Sequence, residues 1–78
     1  MAKIKVYSTP TCPYCRMVKS FLKEKGVDFE DIDVSVDSKA AEEMIKKSGQ
    51  MGVPQIEINE KIIVGFDREA IESELSNV

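Results

Sequence analysis

A chain of 78 residues has room for one hydrophobic core, so residues 1–78 are expected to form a single domain. Apolar residues make up 42% of it, a globular composition that excludes a disordered chain, and no 18-residue apolar run is present to cross a membrane as a helix. With 11 basic against 14 acidic side chains, net −3, the basic excess of a nucleic-acid binder is missing, and neither a nucleic-acid nor a membrane partner is expected.

Residues 3–7 alternate polar and apolar and read as a short strand, with Ile4 and Val6 on one face. Ser8-Thr9-Pro10-Thr11 is a loop. Cys12 is placed to cap a helix, with Pro13 at its first position, where a missing N–H costs nothing. That helix runs over residues 13–25, with Tyr14, Val18, Phe21 and Leu22 on its apolar side, and stops at Gly26. Residues 27–34 read as a second strand whose alternation slips at Glu30-Asp31. Asp37 or Ser38 caps a second helix over residues 39–48, with Ala41, Met44 and Ile45 as its stripe and Gly49 as its stop. Residues 55–58 and 61–64 are short strands joined by a tight turn at Asn59-Glu60. Asp67 caps a last helix to residue 76 with Ala70, Ile71 and Leu75 inward; Phe66 and Ile71 have the spacing of a hydrophobic staple. The order β-α-β-α-β-β-α calls for a parallel pair followed by an antiparallel hairpin. It gives an α/β fold with a four-stranded mixed sheet and three helices, an order that resembles the thioredoxin-like architecture.

The chemistry lies in Cys12-Pro13-Tyr14-Cys15. The chain has no histidine, so no Cys-His or Ser-His pair can be drawn. At a helix start, unpaired N–H groups and the positive end of the helix dipole stabilise an anion. Cys12 is therefore the expected nucleophile, since the thiolate is the reactive form. Cys15, one turn on, is placed to attack a mixed disulfide formed on Cys12. Two cysteines at this spacing also suit three other roles. A structural disulfide closing so short a ring removes little chain entropy. A zinc site needs four N or S ligands, and two cysteines supply half. A copper(I) carrier needs only two thiolates, and small carriers of this kind also place C-x-x-C at the start of their first helix. Such a carrier, however, ends strand–helix–strand rather than hairpin–helix. No metal or flavin is expected. The opening residues lack the apolar stretch of a signal peptide, which makes the cytoplasm, where thiols stay reduced, the expected compartment.

Tyr7-Ser8, Cys12-Pro13-Tyr14-Cys15, Gly52-Val53-Pro54 and Gly65-Phe66-Asp67, taken together, resemble the glutaredoxin family over nearly the whole chain. The resemblance implies a thioredoxin-like fold and a thiol-disulfide oxidoreductase active in electron transport and cell redox homeostasis. It also implies that Pro54 is cis and packed beside the dithiol, with the backbone of Val53 pairing with the cysteine residue of the substrate. Glutathione is then the expected cofactor. Its groove runs between Cys12, Pro13 and Tyr14, the Val53-Pro54 pair, and Gly65, Phe66 and Asp67, with Thr9 and Gln50 as further candidate contacts. Asp67 holds the glutathione amino group, serves as a plain helix cap, or does both, and Tyr14 either walls the groove or packs on its helix. Gln50 is a candidate partner of the glycine carboxylate.

Two positions depart from the family. Thr9 stands where a lysine often reaches the glutathione carboxylate, and Gly65-Phe66 stands where a Gly-Gly pair is common. The second feature resembles redoxins that take electrons from thioredoxin reductase and serve ribonucleotide reductase or a peroxidase. Either glutathione or thioredoxin reductase is thus an expected electron donor, disulfide-containing proteins are the expected substrates, and a monomer is expected.

Overall fold

The computed structural model describes residues 4–76. Its elements are β1 (Ile4–Ser8), α1 (Pro13–Glu24), β2 (Glu30–Asp33), α2 (Ser38–Ser48), β3 (Gln55–Ile58), β4 (Lys61–Val64) and α3 (Arg68–Leu75). The sheet order is β2-β1-β3-β4, with β1 and β2 parallel and the other two pairs antiparallel. This is the thioredoxin-like α/β fold expected from the element order, and it closes with a hairpin and a helix.

Strand periodicity decides the layers. Ile4 and Val6 of β1, Ile56 and Ile58 of β3 and Ile63 of β4 point to one face. There they meet Val18, Phe21 and Leu22 of α1 and Ile71 of α3. Tyr7 and Ile62 point to the other face, against Ala40 and Met44 of α2. Val6, Val18, Leu22, Ile56, Ile58 and Ile71 are fully buried, and side chains of this size contribute about 1.5–3 kcal/mol each on burial. The central strands are therefore sealed on both sides and hold their ends in fixed positions, which is where the dithiol sits.

Local chemistry sets the element ends. The carboxylates of Asp37 and Asp67 accept from the amides of Ala40 (3.0 Å) and Ala70 (3.1 Å), helix caps worth about 1 kcal/mol each. Asn59 and Glu60 both take positive φ, 49° and 71°, the twist that a two-residue hairpin requires. Gly49 ends α2 in the left-handed conformation at φ 72°.

Four details differ from the sequence reading. β1 runs on to Ser8, one residue past the expected end, and the expected start at Lys3 lies outside the described residues. β2 is only Glu30–Asp33; Val27 and Phe29 pack on the core from irregular chain before it. β2 is an edge strand, and its acidic side chains discourage a further strand from pairing there. In α2 the contact with the sheet is made by Ala40 and Met44, one turn apart, while Ile45 is 37% exposed. In α1 the buried face is led by Cys15, and Tyr14 is 59% exposed instead of lying beside Val18. Tyr14 shares a side of α1 with Val18 and Phe21, but on the first turn that side is open to solvent.

Candidate active site

β1 delivers the chain to the dithiol. After Ser8 the backbone turns, and the Cys12 amide donates to the Thr9 carbonyl at 3.4 Å. Cys12 then adopts φ −91°, ψ 114°, the extended geometry of an N-cap, and Pro13 occupies the first helical position. The Cys15 amide donates to the Cys12 sulfur at 3.2 Å. An otherwise unpaired helix N–H thus points at the sulfur. Both cysteines are free; Cys12 is partly exposed and Cys15 is fully buried.

Burial, first of all, pushes the Cys15 thiol up to about 11. The hydrogen bond to Cys12 and the charge of Cys12 push the same way, while a hydrogen bond with the Thr9 backbone and the charge of Lys19 oppose them. Lys19 is anchored by Asp31 at 3.1 Å, and Asp31 also accepts from the Ser8 hydroxyl at 2.9 Å. One thiol is therefore available and its neighbour is held protonated. Brief treatment with limiting iodoacetamide near pH 7 is expected to label Cys12 and spare Cys15. Label found mainly on Cys15 by mass spectrometry would reverse the two roles.

The opposite wall comes from the turn before β3. The Val53–Pro54 bond is cis. The Cys12 thiol donates to the Val53 carbonyl at 3.9 Å, a sulfur-length contact. Val53 lies beyond the end of the β1–β3 ladder, whose last pair is Tyr7 with Gln55, so its main chain stands clear of the sheet. The Gly65 amide donates to the Pro54 carbonyl at 2.8 Å, which brings the turn before α3 against the same wall. Gly65 has φ 84°, a conformation that suits glycine.

The structure therefore joins Thr9, Cys12, Cys15, Val53, Pro54 and Gly65 through direct contacts. Asp67 follows in the chain and caps α3 through one carboxylate oxygen, so the plain cap reading of this residue holds. Phe66 sets its ring edge-on to Phe21, with centroids 5.9 Å apart, and joins the core cluster that contains Ile71, as a staple does. Pro13, Tyr14 and Gln50 are exposed, and of the two readings of Tyr14 the one that packs it on its helix is not met.

One positioning residue was missed. Gln55 is fully buried, and its side-chain amide donates to the carbonyls of Gly52 (2.7 Å) and Gln50 (3.1 Å). It ties the loop before Pro54 to the sheet. The available signal was a glutamine directly after Pro54 inside an otherwise buried strand.

A capped C-x-x-C at the start of a helix, facing a cis-proline turn on this sheet, defines the thioredoxin-fold oxidoreductases as a class. The comparisons narrow it. The glutaredoxin family model matches residues 4–63, and the chain belongs to the glutaredoxin family. It is 52% identical over 69 residues to an uncharacterised glutaredoxin-like 8.6 kDa protein in the rubredoxin operon of Clostridium pasteurianum, covering 88% of this chain and 92% of that one. It is 43% identical over 67 residues to glutaredoxin 3 of Escherichia coli K12, covering 86% of this chain and 81% of that one. Among solved structures, a glutaredoxin from Archaeoglobus fulgidus superposes with a TM-score of 0.86 at 31% identity, over 96% of this chain and 87% of that one. A buckwheat glutaredoxin–glutathione complex superposes with a TM-score of 0.78 at 26% identity, over 97% of this chain and 74% of that one. The chain is thus a thiol-disulfide oxidoreductase of the glutaredoxin family.

Proposed function

We propose that the chain is a dithiol glutaredoxin that uses glutathione to reduce mixed disulfides and protein disulfides in the cytoplasm, acting as a monomer. The observation that carries this reading is the placement of the Cys12 sulfur. It lies 3.2 Å from the Cys15 amide and 3.9 Å from the Val53 carbonyl, between an anion-stabilising helix start and an open length of main chain.

In the reaction proposed, the Cys12 thiolate attacks one sulfur of the substrate disulfide. That S–S bond breaks as a Cys12–substrate S–S bond forms, and the departing sulfur leaves as a thiolate that takes up a proton. For a protein disulfide, Cys15 then loses its proton and attacks the Cys12 sulfur. The products are the Cys12–Cys15 disulfide and a substrate dithiol that has gained two electrons. Two of the influences that hold Cys15 protonated, its hydrogen bond with Cys12 and the charge of Cys12, are removed once Cys12 is bound in the mixed disulfide. The first step therefore prepares the second. Two glutathione molecules, oxidised to glutathione disulfide, return the electrons to the pair.

Thr9 brings no charge to the glutathione carboxylate, and losing a charge-assisted hydrogen bond of roughly 1.5–3 kcal/mol weakens binding by about tenfold or more. The same residue and Gly65-Phe66 favour the second reading, a redoxin reduced by thioredoxin reductase that serves ribonucleotide reductase or a peroxidase. The two are separated by a coupled assay with glutathione and glutathione reductase in one arm and thioredoxin reductase in the other. Faster turnover with glutathione is expected, and Thr9→Lys should raise the rate further at limiting glutathione. Efficient reduction by thioredoxin reductase with no turnover by glutathione would replace the first reading with the second.

A further inference from the structure

A groove of about 360 Å³ begins one residue past Cys15. It runs along α1 toward Glu24, and its other wall is Phe66 and Arg68 at the start of α3. Its floor is apolar, made of Met17, which is 48% exposed, and the rings of Phe21 and Phe66. Two guanidinium groups line it. Arg68 lies over the Phe21 ring at 5.3 Å, and neither Arg68 nor Arg16 has a carboxylate within ion-pair distance among the described residues. Lys25, the other cation over that ring, is already paired with Glu72 at 3.3 Å. Glu24 is the acid on the lining, and it lies at the end of α1 remote from the dithiol.

An apolar floor flanked by two unpaired cations, in a chain whose net charge is −3, is complementary to a segment that is both apolar and acidic. The groove adjoins the candidate active site along the chain, since Arg16 follows Cys15 and Phe66 follows Gly65, whose amide is bonded to Pro54. We propose that this groove seats the protein substrate itself: a stretch beside the reacting cysteine that carries an apolar side chain for Met17, Phe21 and Phe66, and an acidic one for Arg16 and Arg68. The proposal rests on the oxidoreductase reading and adds its substrate preference. Arginine is suited to this, since its planar fork pairs with a carboxylate through two parallel hydrogen bonds while its face stays on an aromatic ring.

The test uses the full chain and two synthetic peptides, each closed by one disulfide and carrying one leucine. One peptide bears two glutamates beside a cysteine and the other two lysines. Hydroxyethyl disulfide is the small control. The unmodified protein is expected to reduce the acidic peptide with a kcat/KM roughly fivefold above that of the basic one, the gap closing at about 0.5 M salt. Arg16→Glu with Arg68→Glu should reverse the preference while hydroxyethyl disulfide turnover stays unchanged, and Arg16→Lys with Arg68→Lys should keep the preference. Equal rates on the two peptides, with the control still turned over, would overturn the groove assignment alone. Failure on all three disulfides would sink the oxidoreductase reading and the groove's role with it. A dimer of the unmodified protein that the glutamate variant dissociates would give the groove to a second copy of this chain and overturn the proposal.

Discussion

Cys12→Ser is expected to abolish turnover of every disulfide, by on the order of a thousandfold or more, because serine is a poor nucleophile at neutral pH and the remaining thiol, Cys15, is buried and held protonated. Cys15→Ser is expected to behave differently with different substrates. The small mixed disulfide of glutathione needs only one enzyme sulfur, since a second glutathione can attack the Cys12 adduct, and its turnover should survive. A protein disulfide needs the neighbouring thiol, and its reduction should fall by about a hundredfold or more, with the Cys12–substrate adduct accumulating. The geometry supports this division. The Cys12 sulfur is partly exposed and receives a helix N–H, whereas Cys15 is buried and held protonated until its neighbour reacts. Parallel assays with hydroxyethyl disulfide plus glutathione and with a disulfide-bonded protein would decide. Equal losses of the two activities in Cys15→Ser would show that the resolving role is wrong.

The elements that were legible in the sequence are those whose ends carry their own chemistry. Asp37 and Asp67 cap helices because a short carboxylate reaches an amide three residues on, and that depends on no tertiary contact. The Asn59-Glu60 turn and the stop at Gly49 are equally local. The dithiol could be placed because its cap and its proline lie within four residues of one another. What was not legible depends on layers that meet only in the folded chain. Gln55-Ile56-Glu57-Ile58 alternates like a strand with one wet face, yet all four residues are buried because α2 covers the second face. Glu57 is tolerated there through its ion pair with Lys47 of α2, a partner ten residues away on another element. That pairing also raises the Lys47 ammonium, with the Glu57 hydrogen bond the main cause. The place of Tyr14 stayed open in the sequence for a related reason. Helical spacing groups it with Val18, but which residues of a first turn meet the sheet depends on where the strand before it ends.

Gln55 belongs to the same covered face, and replacing it is expected to cost both stability and activity. Its amide group supplies the donors for the Gln50 and Gly52 carbonyls and so holds the loop that presents Val53 to Cys12. Gln55→Leu keeps the approximate size and removes both donors, for an expected loss of about 1–3 kcal/mol of stability. The loosened loop should lower kcat/KM for glutathione mixed disulfides by roughly tenfold, with the loss lying mainly in KM, because Cys12 and its helix cap are untouched. Gln55→Glu tests the same arrangement by charge. A buried carboxylate facing two carbonyls is disfavoured when ionised, so its folded-state pKa should rise above the ordinary value of about 4.3. The protonated form retains one donor for the loop. Stability of this variant should therefore be fully present below about pH 4.3 and be lost as pH rises through the raised folded-state value, a slope that Gln55→Leu cannot show. Thermal melts of the three proteins between about pH 4 and 8, with kinetics at pH 7, would measure it. A Gln55→Leu protein that melts and turns over like the unmodified chain would remove Gln55 from the site; a Gln55→Glu protein whose melting follows the unmodified chain at every pH would show that the donors do not matter.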